Sequence, residues 1–300
     1  MSRPAPNALP ARVLLTGAGG QLGWELQRTV PPSVALTALS SAELDITDPR
    51  QVAAAISHHA PNLIINAAAY TAVDKAEQEA ERAFLVNGEG PGHLARAARD
   101  GGIRLIHIST DFIFDGQKSS PYLPTDQPNP LGIYGKSKLL GEERVMAITG
   151  GQDTAIIRTA WVYSSHGHNF VKTILRLLNE REAISVIADQ IGTPTWARGL
   201  AEAVWSAAQL RLTGIHHWTD AGVASWYDFA VAIMEESLVL GLLTEQRTIR
   251  PIASSDYPLP AQRPAYSVLD KSSLWQALGG QPQHWRVALR QMLSELKAEG

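Results

Sequence analysis

The sequence predicts a doubly wound parallel α/β sheet followed by a smaller C-terminal α/β lobe, and three observations carry that prediction. Short runs that are apolar throughout alternate with longer helical patterns over the first half of the chain, as in a parallel sheet covered on both faces. A glycine cluster stands between the first such run and the first helical pattern. At 300 residues and 45% hydrophobic, the chain is long enough to bury one large or two modest cores.

Arg12–Thr16 (RVLLT) reads as a buried strand, and the glycine turn leads from it into a helix through Gln27. Val34–Leu39 is the second strand. Thr47-Asp48-Pro49 then supplies an N-cap and a first-turn proline for a helix through His58. Asn62–Asn66 and Ile103–Ser109 are the third and fourth strands, separated by a helical pattern broken near Gly88–Gly92. A helix from Tyr134 to Ala147 precedes the fifth strand, Thr154–Thr159. Right-handed crossovers between such strands wind the sheet both ways.

Beyond residue 160 the order loosens. Aromatic residues gather (Trp161, Tyr163, Trp196, Trp218, Trp226, Tyr227, Trp275, Trp285) and prolines punctuate Pro251–Pro264. Residues 11–163 are expected to form the first domain, with segments near 196–220 returning to it, and 164–300 mainly the smaller lobe. The longest apolar-looking stretch, SLVLGLL (237–243), falls far short of the ~20 residues that span a bilayer and reads as the end of a core helix.

Composition narrows the function classes. Lys plus Arg is 26 against 29 Asp plus Glu, a formal charge of −3, so no electrostatic footprint for nucleic acid or a membrane surface is expected. Cysteine is absent, which removes disulfides, thiolate nucleophiles and cysteine-ligated metals. The N-terminal MSRPAPNALP lacks the apolar core of a secretory signal, and a cytoplasmic location is expected.

The glycine turn reads Gly17-Ala18-Gly19-Gly20-Gln21-Leu22-Gly23. The usual GxGxxG spacing fails because Leu22 takes its last glycine, whereas GxxGxxG fits at Gly17, Gly20 and Gly23. In a strand-turn-helix context this pattern brings backbone close to a pyrophosphate at a helix N-terminus; a merely tight turn is the plainer alternative. The second strand ends in Ser40-Ser41, where a carboxylate would grip an adenosine ribose 2′-hydroxyl. Glu43 and Asp45 follow too late to be placed there, so the sequence leaves NADPH and NADH both open with a slight lean to NADPH.

Tyr134 and Lys138 stand four residues apart at a helix start, on one face. An ammonium beside a phenol favours the phenolate and lowers its pKa, giving a usable proton donor and acceptor; as a lone pattern YxxxK also fits a surface pair. The fourth strand ends in Ser109-Thr110-Asp111, placing the Thr110 hydroxyl at the crevice where such sheets bind ligands. There it can stabilise negative charge developing on the carbonyl oxygen that Tyr134 protonates.

The segments LLTGAGGQLGWEL (14–26), NAAAYTAVDKAE (66–77), HISTDFIFDG (107–116), YGKSKLLGE (134–142), RTAWVY (158–163), NF (169–170), DQIGTPT (189–195) and RPAYSVLD (263–270) together resemble the extended short-chain dehydrogenase/reductase superfamily and, within it, the dTDP-4-dehydrorhamnose reductase family. The resemblance implies a Rossmann-type sheet with a substrate-binding lobe, and NAD(P)H-dependent reduction of the 4-keto group of dTDP-4-dehydro-β-L-rhamnose. It implies Thr110, Tyr134 and Lys138 as the catalytic set. Gly17, Gly20, Gln21, Leu22 and Gly23 would meet the cofactor pyrophosphate, and Asp45 and Ile46 the adenine. Ala67, Ala68, Ala69, Tyr70 and Thr71 would line the cofactor and sugar side, and Thr71, Thr110, Asp111 and Trp161 the sugar nucleotide. Some members link a dimer through Mg²⁺, with one carboxylate at Glu25; Arg198 occupies a second ligand position here. An arginine cannot ligate Mg²⁺, which argues against a metal bridge and leaves Arg198 to pair with a carboxylate. A homodimer is the candidate assembly.

Other features receive plainer readings. Asn87 either supports the site or ends a helix. Asp74, Glu77, Glu79 and Glu81 read as a solvated helix face, and His58-His59, His166/His168 and His216-His217 as structural or surface. Two rival functions remain: a catalytically idle dinucleotide-binding subunit, against which Thr110, Tyr134 and Lys138 count, and an epimerase or dehydratase, weakened because Phe112 stands where a Glu is expected.

Overall fold

The computed structural model describes residues 11–299; the N-terminal segment 1–10, read above for a signal, lies outside them. β1 (Arg12–Thr16) turns into α1 (Gln21–Arg28), and β2 (Ala35–Leu39) is followed by α2 (Pro49–His59) and β3 (Leu63–Asn66). The short α3 (Val73–Ala76) and α4 (Ala80–Phe84) run through a π-type turn at Leu85–Glu89 into α5 (Gly90–Gly101). β4 (Arg104–Thr110), α6 (Ile133–Thr149) and β5 (Thr154–Thr159) complete this half. Next come β6 (Val162–Tyr163), α7 (Phe170–Glu180), β7 (Ala183–Ile187), β8 (Ile191–Gly192), β9 (Thr195–Trp196), α8 (Ala197–Gln209) and β10 (Gly214–His217). β11 (Ala224–Ser225), α9 (Trp226–Leu240), β12 (Thr248–Ile252), α10 (Ser272–Leu278) and α11 (Trp285–Glu299) end the described chain.

The main sheet has the order β2-β1-β3-β4-β5-β10 and is parallel throughout. The chain leaves β1 for β2 on one side and reaches β3 on the other, so the carboxyl ends of β1 and β3 flank the switch point where such sheets hold ligands. The five expected strands are present to within a residue at each end, and β10 is the segment returning from the second half. Alternate side chains of each strand serve opposite faces. Val13, Leu15, Leu63 and Ile65 pack with Leu22 and Leu26 of α1 and Leu200 and Val204 of α8. Leu14 and Ile64 pack with Val52, Leu94 and Val145 on the other side.

Local signals set the helix ends. Asp48 caps α2, its carboxylate accepting from Arg50 N at 2.9 Å, with Pro49 in the first turn. α9 stops at Leu240 because Gly241 adopts φ +71°, as expected of the SLVLGLL stretch. In the second half, and apart from β10, the described strands after β5 form two-stranded pairings, β7 with β12, β8 with β11 and β6 with β9. Its core joins α7, α9 and α11 through Tyr163, Trp196, Phe229 and Trp285, whereas Trp218 and Trp275 belong to the core of the main sheet.

Candidate active site

The glycine turn is pressed onto the segment that follows β3. Gly17 has φ +75°, and a β-carbon there would lie 2.6 Å from Ala68 N and 2.7 Å from the Ala67 carbonyl. One on Gly23 would lie 2.2 Å from Gly17 O, so α1 sits against the turn as the spacing required. Gly20 is the N-cap of α1 and offers no side-chain hydrogen bond, and the first turn holds no acidic residue. Its amides are thus free of side-chain caps, and a helix N-terminus of that kind accepts an anion. A β-carbon on Gly19 would meet nothing within 4 Å, leaving room beside the turn. Leu22 is buried in the main core, while Gln21 Oε1 accepts from Asn169 Nδ2 at 3.0 Å. His166, read from sequence as structural or surface, stacks on Trp24 and stands 3.2 Å from Gly19 O through Nε2. The 164–169 loop therefore borders the turn.

Ala67 and Ala68 leave β3 directly beside Gly17, and Ala69, Tyr70 and Thr71 continue the chain from there. Asn87, buried in the π-type turn, fixes this segment. Its Oδ1 accepts from Tyr70 N at 2.8 Å, and its Nδ2 donates to Tyr70 O and to Ser137 Oγ, each at 3.0 Å. Of its two readings, a support for the site is the one this geometry carries. Asp45 spends one carboxylate oxygen on Thr47 N and Oγ1, and Ile46 is buried against Gly90. Glu43, placed by the sequence too late to reach the end of β2, folds back onto Ser40.

Thr110 ends β4, its hydroxyl donating to Asp111 Oδ1 at 3.1 Å. Asp111 is buried and its Oδ2 has no hydrogen-bond partner, a state that calls for a ligand or another explanation. Burial pushes its carboxyl up to about 6, against opposing hydrogen bonds from Ser267 and Thr110. Tyr134 stands in the first turn of α6, half-buried, with the Phe112 ring edge-on at 5.5 Å. Lys138, one turn on, is buried and donates from Nζ to Ile108 O at 2.7 Å.

The expected lowering of the Tyr134 pKa by Lys138 is not what this arrangement gives. Burial pushes the Tyr134 hydroxyl up to about 12, Thr110 opposing and the Asp111 carboxylate adding to the rise. The Lys138 ammonium is directed at the Ile108 carbonyl, and burial of the phenol sets the direction of the shift. The phenol therefore holds its proton, the form a proton donor needs. Burial also brings Lys138 down to about 8, with Glu142 acting the other way.

Three supports were not legible in the sequence. Glu77, read as part of a solvated face, accepts from Ile133 N at 2.8 Å and so caps the helix bearing Tyr134. Asp74 and Glu79 of the same face pair instead with Arg263 at 2.7 Å and with the Tyr70 hydroxyl at 2.9 Å. Beneath the crevice, Asn66 accepts from Thr16 Oγ1 at 2.7 Å and meets His107 Nδ1 at 3.0 Å. Burial first, and the Lys138 ammonium second, hold His107 well below the usual histidine range. For Asn66 and His107 the signal is a polar residue at a buried strand position, but their partners lie 41 and 50 residues along the chain.

Trp161 follows β5 with φ +48°, unusual for so large a side chain. Its ring lies 3.5 Å from that of Trp226 at 6° between planes and remains partly exposed, a flat apolar plate. Away from the crevice, Arg198 donates to Glu295 at 2.5 Å, and Arg28 reaches both Glu295 at 3.2 Å and buried Glu25 at 3.5 Å. Among the described residues no group of three or more His, Asp or Glu is arranged to hold a metal ion, and no helix is long and apolar enough to cross a membrane.

Residues 11–298 match the family described as the RmlD substrate binding domain. The spore coat polysaccharide biosynthesis protein SpsK of Bacillus subtilis is 43% identical over 285 residues, covering 95% of this chain and 97% of that protein. A dTDP-4-dehydrorhamnose reductase of Aggregatibacter actinomycetemcomitans is 42% identical over 288 residues, 93% and 97% of the two chains. The crystal structure of dTDP-4-dehydrorhamnose reductase from Bacillus anthracis in complex with NADP superimposes with a TM-score of 0.89 at 35% identity, covering 95% of this chain and 99% of that one.

Proposed function

This chain belongs to the RmlD substrate binding domain family, and from that premise we infer that it is an NAD(P)H-dependent oxidoreductase that reduces the 4-keto group of dTDP-4-dehydro-β-L-rhamnose to give dTDP-L-rhamnose, with Thr110, Tyr134 and Lys138 as its catalytic residues. The observation that carries the reading is their convergence. The strand-end Thr110 hydroxyl hydrogen-bonds the Tyr134 phenol, Lys138 stands one turn along the same helix, and the first strand of the same sheet leads into an α1 N-terminus without a side-chain cap.

The residues fit a dinucleotide. The pyrophosphate would rest on the amides of Gln21 and Leu22, with Gly20, whose N–H donates to Gly17 O at 3.0 Å, lying against it without a side chain, and the small Ala67, Ala68 and Ala69 leave room for a flat ring. A reduced nicotinamide held by these residues would supply hydride chemistry to the substrate carbonyl. Tyr134 delivers its proton to the carbonyl oxygen, completing the alcohol. The Thr110 hydroxyl, now on Asp111, donates to the same oxygen and stabilises the charge that builds there before the proton arrives. Lys138, one turn along α6 from Tyr134, would hold the ribose hydroxyls through its ammonium. Asp111, with one unpartnered carboxylate oxygen, accepts from a sugar hydroxyl, and Trp161 lies against the deoxysugar face. Phe112, edge-on to Tyr134, supplies no second acid or base of the kind a dehydratase uses.

In this reading residues 11–163, joined by β10 and α8, hold the cofactor, and 164–300 mainly hold the sugar nucleotide. A homodimer without a divalent cation agrees with the Arg198–Glu295 pair, and charged nucleotide substrates agree with a cytoplasmic enzyme. The test is a progress curve at 340 nm with dTDP-4-dehydro-L-rhamnose and either reduced cofactor, the product identified by mass. One nucleotide oxidised per dTDP-rhamnose formed is expected. Binding of both ligands with no turnover would favour the regulatory subunit instead.

A further inference from the structure

We propose that Glu43 sets the preference between NADH and NADPH, its carboxylate at the end of β2 accepting from a ribose 2′-hydroxyl and repelling a ribose 2′-phosphate. This rests on the dinucleotide reading above. The backbone places the group. Leu39 O accepts from Ala18 N at 3.1 Å, so the residue after it, Ser40, adjoins the glycine turn. The chain then closes tightly, Glu43 N and Leu44 N both donating to Ser40 O at 3.1 and 2.9 Å. This brings Glu43 Oε2 within 2.8 Å of Ser40 N and 2.7 Å of Ser40 Oγ. A sheet of this topology needs an acid at that strand end to grip a 2′-hydroxyl. Here the strand-end residue is a serine, and the acid arrives from three positions further on.

The surroundings reinforce the sign. Both Ser40 bonds use Oε2, which leaves Oε1 for a ligand, and the Glu43 side chain is exposed. Those bonds hold its carboxyl below the usual range, so it is charged at neutral pH. Residues 29–49 contain no Lys or Arg, and Arg50 is drawn toward Asp48 at 3.5 Å. A 2′-phosphate entering here meets carboxylates at 43, 45 and 48.

A Ser-x-x-Glu turn of this form also serves as a local cap, a role that treats both cofactors alike. The experiment therefore reads a ratio of dissociation constants, not turnover. NADH and NADPH are titrated separately into the whole chain, wild type, Glu43→Gln and Glu43→Asp, with tryptophan fluorescence as the signal. Glu43→Gln is expected to move the NADPH-to-NADH affinity ratio about tenfold toward NADPH, the effect shrinking as salt rises, while Glu43→Asp stays nearer wild type. A ratio within twofold of wild type, with both cofactors still bound or both weakened alike, would reduce Glu43 to a turn cap and overturn the proposal. Wild type that binds neither nucleotide would instead overturn the dinucleotide reading beneath it.

Discussion

Asn87 holds the backbone of Tyr70 by both ends of its amide, Oδ1 accepting from Tyr70 N at 2.8 Å and Nδ2 donating to Tyr70 O at 3.0 Å. The same Nδ2 reaches Ser137 Oγ, whose hydroxyl donates to Tyr134 O at 2.8 Å. One buried side chain thus joins the segment after β3 to the helix turn that carries the phenol. Asn87→Ala strands buried backbone groups and loosens that joint. A loss of about 2–4 kcal/mol in urea unfolding is expected, with kcat lowered tenfold or more because sub-ångström placement is at stake. Unchanged kcat in folded protein would separate the joint from the chemistry.

Lys138, held near pKa 8 by burial, should impose an alkaline limb on catalysis. Its ammonium is fully present below that pH, so kcat/KM for reduction is expected to level off below about 8 and to fall as pH rises beyond it. Glu142 raises the Lys138 pKa and pairs with buried Arg158 at 2.7 Å. Glu142→Gln should move the limb to lower pH and cost about 3–5 kcal/mol by leaving Arg158 without its charge partner. A pH–rate series on both proteins checks the shift.

Asp111 trades stability for binding. Its folded-state pKa, about 6, lies above the ordinary 3.8, so the native state holds the proton more tightly than the unfolded chain. Its contribution is full below pH 4 and is lost as pH rises through about 6, a change of about 3 kcal/mol. Asp111→Asn should therefore raise the unfolding free energy at pH 7 by up to that amount and flatten its pH dependence between 4 and 7, while weakening sugar-nucleotide binding. Unfolding curves at pH 4.5 and 7.5 decide it; destabilisation at pH 7.5 would contradict the account.

Arg198 stands on Glu295, with Arg28 between Glu295 and Glu25. Chelation by EDTA is expected to leave activity and sedimentation unchanged. Arg198→Glu, which adds a carboxylate and removes a cation, should lower the melting temperature and make it respond to Mg²⁺. Loss of activity with EDTA in the wild type would overturn the metal-free reading.

The main sheet was legible because its signals are local. Apolar runs such as Asn62–Asn66 and caps such as Asp48 mark their own elements, and Thr110, Tyr134 and Lys138 lie at predictable ends of a strand and a helix. What the sequence hid is paired at long range. Glu77 reaches across 56 residues to Ile133 N, Asn66 across 41 to His107, and Asn169 across 148 to Gln21. No periodicity encodes such partners. Glu43 was set aside as standing too late after β2, since nothing in the sequence marks the tight turn that folds it back three residues onto Ser40.

The most direct test compares wild type with Tyr134→Phe, following oxidation of NADPH and of NADH in the presence of dTDP-4-dehydro-L-rhamnose, with cofactor affinity measured on both proteins. Removal of the phenolic proton donor is expected to lower kcat by about 10²–10⁴ while the dissociation constants stay within a few fold. Substrate-dependent turnover that survives in Tyr134→Phe at near wild-type rate would contradict Tyr134 as the donor and, with it, the mechanism built on this site.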